Sequence, residues 1–489
     1  MKDKFETVKT AQHAADILSP HHKKYITASK AINSSELTPR IWGLWLITGM
    51  GFALDGFDLF IIGIALPLLT REYTVLAADP FLVGLLAAAA PIGAILGASV
   101  FGRLTDTLGR KFILVLNMIL FIVFSILCAG AWSVWSLIVF RFIAGIGIGG
   151  EYPVNSAYIA EIIPKKHRKQ MQVGNFSFQA VGAITGALTG VIILELLPHT
   201  WTWRLMLGLP ALFSFILFFF RLKMPESSKW LASQGNRKEA VKTLTNITGT
   251  TVKKLNVEHK HKTKFTDIFS QDYIKLTVLS SIPWFLMDIA FYGIGIFTPI
   301  ILNILFKSDT SNFIEKDIEA IKGALFVNSF LLVGIIIAII LAKKIGMLKL
   351  QIRGFWGMGV GMLILMLTEY ISNPTLYNMV MFSGFILFYL SVNAGPNPMT
   401  FLIPARVYPT HFRATGHGFA AAFAKAGAAL GIVILPWLQA KVGVANTVMY
   451  MAIICFLGAF ITQLFTHLII MDKQLNKYRR ILEGVDTEN

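Results

Sequence analysis

The stretch "WFLMDIAFY", 284–292, lies inside a long apolar run and sets Trp284, Asp288 and Tyr292 at i, i+4 and i+8, one stripe of a helix. An aspartate at the centre of a bilayer costs about 2.5–3.5 kcal/mol on insertion scales. A segment that only had to span the membrane would carry leucine there. A carboxylate flanked one turn away by an indole and a phenol can hold a polar solute or exchange a proton, and the mid-span position suits an interfacial aromatic belt poorly. A second acidic pair, Asp55 and Asp58 in "LDGFDLF", falls at i, i+3 on one helix face. Two close carboxylates in a low dielectric do not both ionise easily, which is the property a proton carrier needs; the plainer alternative is a structural ion pair.

Further polar residues interrupt other apolar runs. "RFIAGIGIGGEYP", 141–153, holds Arg141, Glu151 and Tyr152; "NFSFQAVG" holds Gln179; "NAGPNPMTFLIP", 393–404, holds Asn397 at a Pro/Gly break; "FAKAGAALG" holds Lys425. Arg141 and Glu151 are ten residues apart, about 15 Å along a helix, so each needs another partner, and Asp55 or Asp58 suits Arg141. The Lys425 ammonium needs an acid or an anion. Together Tyr152, Gln179, Trp284, Asp288, Tyr292 and Asn397 offer hydroxyl, amide and indole groups around one carboxylate. A sugar site has no need of Lys425, and a cation site would avoid it. Fully ionised sulfate has no proton to give Asp288. A protonated phosphate donates its O–H to the carboxylate while its other oxygens accept bonds, so these residues favour phosphate without forcing it. An organic anion stacking on Trp284 and Tyr292 stays open, as does a nutrient receptor that binds without net transport.

The elements that must position these residues are membrane helices. Of the 489 residues, 55% are hydrophobic and 15% charged, too apolar for a soluble domain of this length. The apolar residues come in blocks of bilayer-spanning length. Twelve spans are expected, at about 41–69, 81–101, 112–130, 134–160, 172–196, 203–222, 277–305, 322–342, 352–371, 376–405, 414–440 and 445–471. They divide the chain into a polar N-terminal segment (1–40), a six-helix bundle (41–222), a basic loop (223–276), a second six-helix bundle (277–471) and a tail (472–489). The loop holds eleven Lys or Arg, which marks it, and with it both termini, as cytoplasmic. The net charge of +17 therefore follows membrane topology and does not argue for nucleic acid. "HAADIL" with "HHKK", 13–24, is expected to form a short surface helix. Cys128 and Cys455 both fall inside apolar helices, away from any disulfide or metal pattern. With no nucleophile, metal or phosphate-loop motif, neither an enzyme nor a cofactor nor an ATP-driven pump is expected, and an ion gradient is the energy source. A monomer in the cell (inner or plasma) membrane, meeting only lipid, protons and a small anion, is the expected setting.

The halves read as a repeat. Setting "EIIPKKHR" (161–168) under "RVYPTHFR" (406–413) aligns Pro164 with Pro409, Gly182 with Gly427, Gly186 with Gly431 and Tyr152 with Asn397. "GRLTDTLGRK", 102–111, resembles the signature loop of the major facilitator superfamily, which implies an all-α fold of two six-helix bundles with inverted repeats that rock about a central site. "PESSKWL", 225–231, resembles a signature of sugar and related carriers. "GGEYP", "FSFQAVG", "WFLMDIAFY", "GPNPMTF" and "YPTHFRATGHGFAAAFAKAGA" together are similar to the phosphate:proton symporter family of that superfamily. The resemblance implies phosphate binding by Tyr152, Gln179, Trp284, Asp288, Tyr292 and Asn397. It also implies a proton path through Asp55, Asp58, Glu151 and Asp288, charge balance by Arg141 and Lys425, and a cytoplasmic gate of Asp106, Arg110, Glu161, Arg168 and Arg413. Two positions depart from the family pattern: Glu151 replaces an Asp, and Arg406 stands where an acid is usual. The mechanism so implied loads protons at Asp55 and Asp58, clasps phosphate between the halves, and releases it inward once Asp288 is protonated.

Overall fold

The computed structural model describes residues 26–249, 255–256, 265–305, 313–408 and 413–482. The first half comprises α1 (Pro39–Glu72), α2 (Pro80–Leu108), α3 (Arg110–Ala129), α4 (Val134–Ile162), α5 (Arg168–Phe176 and Phe178–Leu196, interrupted at Ser177) and α6 (Trp203–Leu222). The second begins with α7 (Ile274–Leu305), α8 (Phe313–Lys344), α9 (Met347–Met366) and α10 (Pro374–Ala394 and Pro396–Leu402, broken at Gly395). A last helical stretch, Arg413–Leu482, breaks at Gly443 (φ 81°, ψ 172°) into α11 (413–442) and α12 (444–482). The expected short helix over 13–24 lies outside the described residues.

Local chemistry explains the helix starts. Thr38, Asp79 and Asn373 accept backbone N–H groups at the first turns of α1, α2 and α10, and in each case proline follows the cap, where its missing N–H is no loss. The helices run close to the expected spans, with two main exceptions: α12 continues to Leu482 and not 471, and α8 begins at Phe313 and not at 322. Its first turns carry charge, and a helix continues past the apolar slab where its side chains meet water or an ion partner. Asp317, on that extension, pairs with Arg71 at the end of α1.

The repeat is visible in packing. A Cβ at Gly182 or Gly186 on α5 would meet the Ala53 or Phe57 carbonyl of α1; at Gly427 or Gly431 on α11 it would meet the Phe285 or Ile289 carbonyl of α7. Small residues thus bring backbones together in the same way in both halves. Gly109 (φ 95°) and Gly346 (φ 92°) likewise make matching turns before α3 and α9, in a backbone region that side chains disfavour. Gly182→Val is expected to wedge α5 off α1, at about 1–3 kcal/mol or more. The check is the midpoint of thermal unfolding in detergent; an unchanged midpoint would contradict the contact.

The halves meet along α2–α11, α5–α8 and α1–α7. At the end bearing the 102–111 loop, Phe176 of α5 stacks on Phe401 of α10 with ring centroids 4.6 Å apart, and Lys169 donates to the Ala342 carbonyl at 2.7 Å. At the far end, Arg71 pairs with Asp317, and Lys322 with Glu195 at 2.7 Å. Both ends are therefore joined across the two halves, and the polar residues between them are buried.

Candidate functional site

Five helices send polar side chains to one point midway between those ends: α1 brings Asp55, α4 Tyr152, α5 Gln179, α7 Asp288 and Tyr292, and α11 Lys425. Tyr152 donates to Asp55 Oδ2 at 2.5 Å, and the Gln179 amide donates to the same oxygen at 2.8 Å. That amide also reaches the Tyr152 and Tyr292 hydroxyls at 2.8 and 2.9 Å. Asp55 fixes the amide's orientation, since its carboxylate needs the NH2 side. Lys425 Nζ donates to the Tyr292 hydroxyl at 3.0 Å and lies 4.5 and 4.4 Å from the ring centres of Tyr152 and Tyr292, a cation held between two π faces. Asp55 and Asp288 both act on Lys425 electrostatically, and the Trp284 indole lies within electrostatic reach of Asp288. All these residues are at most 3% exposed.

Three oxygens in this cluster, Asp55 Oδ1, Asp288 Oδ2 and Gln179 Oε1, are buried without a hydrogen-bond partner among the described residues. All three are acceptors. Leaving such groups dry and unpaired is costly, about 1–3 kcal/mol each. What would complete them is a ligand that brings hydrogen-bond donors to a site that already holds a cation.

The other intramembrane charges take separate places. Asp58 forms an ion pair with Arg141 at 3.2 Å, one turn along α1 from Asp55 and turned towards α4. Glu151, next to Tyr152, faces the interior of the first half instead. It accepts from Arg221 of α6 at 2.5 and 2.7 Å, from Asn117 of α3 at 3.2 Å and from Asn155 at 3.0 Å. Gly51 makes room for this pair, because a Cβ there would collide with both side chains. A buried pair is weak support for stability, but breaking it leaves a naked charge. Arg221→Met is expected to destabilise the protein by about 3–5 kcal/mol, and Arg221→Met with Glu151→Leu to regain most of that. Thermal unfolding of the two variants checks this; equal loss in both would mean that something other than the pair is at stake.

Asn397 stands apart from the central hydrogen-bond cluster. It lies at the α10 break and donates to Asn393 Oδ1 at 2.7 Å. Trp284 belongs to both the cluster and an aromatic floor beneath it, edge-on to Phe401, whose ring stacks on Phe176. At the loop end, Arg110 bridges Asp106 at 3.1 Å and Glu161 at 3.0 Å. Glu226 of "PESSKWL" accepts the backbone N–H groups of Arg110 and Lys111, both at 3.0 Å, at the start of α3, where a carboxylate also complements the helix dipole. Arg168 donates to the Ile163 carbonyl at 3.0 Å and to Asn33 at 3.3 Å, while Glu161 takes Arg110. The Arg413 side chain lies outside the described residues. Arg406 is exposed on the short helix Pro404–Val407, within electrostatic reach of Lys169. The Lys169–Ala342 bond supplies a link between the halves there, with a helix C-terminus as acceptor.

Sequence reasoning passed over several of these residues. Arg221 sits at the end of an apolar span, where arginine is ordinary, so nothing marked it as the partner of Glu151. Phe52, edge-on to both Phe176 and Phe401, joins them in the floor, and all three look like any phenylalanine in a membrane helix.

The family model described as sugar (and other) transporter matches residues 44–476. The inner membrane metabolite transport protein YgcS of Escherichia coli is 29% identical over 416 residues, covering 84% of this chain and 87% of that one. The low affinity inorganic phosphate transporter 4 of Petunia hybrida is 29% identical over 433 residues, covering 78% and 80%. Among solved structures, the major facilitator superfamily proton:xylose symporter XylE of Escherichia coli matches with a TM-score of 0.70 at 20% identity, over 88% of this chain and 96% of that one. At that identity the likeness speaks to the fold alone.

Proposed function

The chain belongs to the sugar (and other) transporter family, and we propose that within it this secondary transporter imports inorganic phosphate together with protons. The observation that carries the reading is the trio of unpartnered acceptors, Asp55 Oδ1, Asp288 Oδ2 and Gln179 Oε1, around the single cation Lys425. Dihydrogen phosphate matches it: its two hydroxyls donate to Asp288 Oδ2 and Gln179 Oε1, a proton taken up by Asp55 accounts for the third oxygen, and the charge and remaining oxygens of the anion meet Lys425 and the phenols. An ionised sulfate brings no donor and leaves every one of those acceptors unpaired.

Charge arithmetic supports coupling to protons. With both acids ionised, Asp55 and Asp288 outnumber Lys425 by one and repel an anion. A proton on Asp55 brings the site to neutrality and admits phosphate, while Asp288 keeps the charge that accepts the phosphate O–H. Passage of a proton to Asp288 removes that acceptor and loosens the ligand. By linkage, proton and anion each raise the affinity for the other. Asp58 with Arg141 lies on the proton's route to Asp55, Glu151 with Arg221 beside it, and Asn397 joins the site as the α10 break moves. Positive-inside placement of the 223–276 loop makes its end of the molecule cytoplasmic, so the Phe176–Phe401 floor and the Arg110, Asp106 and Glu161 bridges close the inward side.

A second reading, symport of an organic anion, draws on the aromatic walls Trp284 and Tyr292 and on the metabolite transport relative. The deciding experiment is radiolabelled phosphate uptake into liposomes holding the purified protein, with and without an inward proton gradient. Accumulation that a protonophore abolishes is expected. No uptake by folded protein would overturn the phosphate reading, and a panel of competing carboxylates would then define the anion.

A further inference from the structure

The buried imidazole of His417 has no part in the site described above. It lies on α11 eight residues before Lys425, on the same face and about 12 Å nearer the loop end. Its ring is edge-on to Trp284, with centroids 5.8 Å apart, and to Phe401 at 5.0 Å. His417 is 1% exposed. Nε2 lies 3.1 Å from the Phe401 carbonyl oxygen. A carbonyl only accepts, so Nε2 carries the hydrogen and Nδ1 is a bare acceptor. Nδ1 has no hydrogen-bond partner among the described residues. A residue needed only to fill space beside Trp284 and Phe401 would be aliphatic or aromatic, because an unpaired buried acceptor works against the fold.

The placement gives that acceptor a use. Phe401 and Trp284 form the floor that must part from Phe176 before the site can open towards the loop end. A solute leaving the Asp288 level moves one helical turn along α7 to the Trp284 level, and His417 stands beside it there. We propose that His417 forms a second, lower station for the transported anion, where a hydroxyl of the anion donates to Nδ1 as the aromatic floor opens. No bond to hydrogen is made or broken in this step: the hydroxyl, freed from Asp288 once that acid has taken up its proton, finds the imidazole as its next acceptor. The cation Lys425 stays behind, so the lower station holds the anion less tightly than the upper one and favours release. This inference rests on the phosphate reading above.

Two substitutions separate the nitrogens. In His417→Gln the amide NH2 reproduces Nε2–H and its bond to the Phe401 carbonyl but leaves nothing at Nδ1. In His417→Asn a polar group remains near Nδ1 and the Phe401 bond is lost. Phosphate uptake by wild type and both variants is measured in the same liposomes, with monodispersity confirming the fold. The expected result for His417→Gln is a Vmax lower by about tenfold, the size of one lost hydrogen bond to a charged group, with KM within about twofold of wild type. His417→Asn is expected to keep a Vmax close to wild type. A Gln variant as fast as wild type, or an Asn variant that is the slower of the two, overturns the proposal and leaves His417 a packing residue. If the Gln variant does not fold, His417→Asn decides: wild-type Vmax supports the station, and collapse overturns it. If wild type takes up no phosphate while folded, the phosphate reading itself falls and this inference falls with it.

Discussion

Asp288→Asn is expected to lower gradient-driven phosphate accumulation by about 100-fold or more, the usual scale for removing a positioned proton-transfer group. The substitution is nearly isosteric, so the helix contacts of Asp288 survive. The losses are chemical. The unpartnered Oδ2 becomes an NH2 or shares its place with one, and a donor then faces the phosphate hydroxyl where an acceptor stood. The negative charge also disappears, and with it the group that takes the proton at release. Binding and coupling should therefore fail together. Accumulation against a gradient and passive counterflow, measured on the same preparation, separate the two losses. If Asp288 only carries the proton, counterflow survives while accumulation stops. If Asp288 only recognises the hydroxyl, both fall in proportion as KM rises. Retained accumulation in a folded variant would remove Asp288 from the mechanism.

Much of this site could be read from the sequence for a simple reason: in a bilayer, each polar residue is improbable and so informative. Asp55, Tyr152, Gln179, Asp288, Tyr292 and Lys425 each interrupt an apolar run, and all six meet at one place. The twelve spans were legible on the same physical ground, since hydrocarbon thickness sets their length. The partners of each charge were less legible. Arg141 could have paired with either acid of α1, and only the rotation of that helix gives it Asp58. Glu151 adjoins Tyr152 in sequence, yet one residue of helix is about 100° of rotation, enough to turn it from the central site to Arg221. Asp317 and Arg71 lie beyond the apolar windows, where charge is common and carries no signal. His417 falls within a Gly-flanked stretch that carries no signal of its own, and only its neighbours Trp284 and Phe401 make its free nitrogen meaningful.

Lys425→Gln should be nearly as damaging as Asp288→Asn, and for a reason that a second substitution can expose. Among the described residues Lys425 is the only ammonium in the central cluster, and Asp55 and Asp288 both act on it. Removing it leaves two carboxylates in one buried site with no counter-charge. Stranding buried charge without a counter-ion is costly, so the thermal midpoint should drop along with uptake. Adding Asp288→Asn to Lys425→Gln removes one of the stranded charges. The double variant should regain most of the lost stability, because Asp55 keeps its bonds from Tyr152 and Gln179. Its uptake should stay near background, because the anion still lacks its cation and its hydroxyl acceptor. Stability and transport thus recover independently if Lys425 both balances the acids and receives the anion. Recovery of transport in the double variant would reduce Lys425 to a counter-ion for Asp288. Full stability in the single variant, with only a raised KM, would mean that the two acids do not depend on Lys425 and that it serves the anion alone.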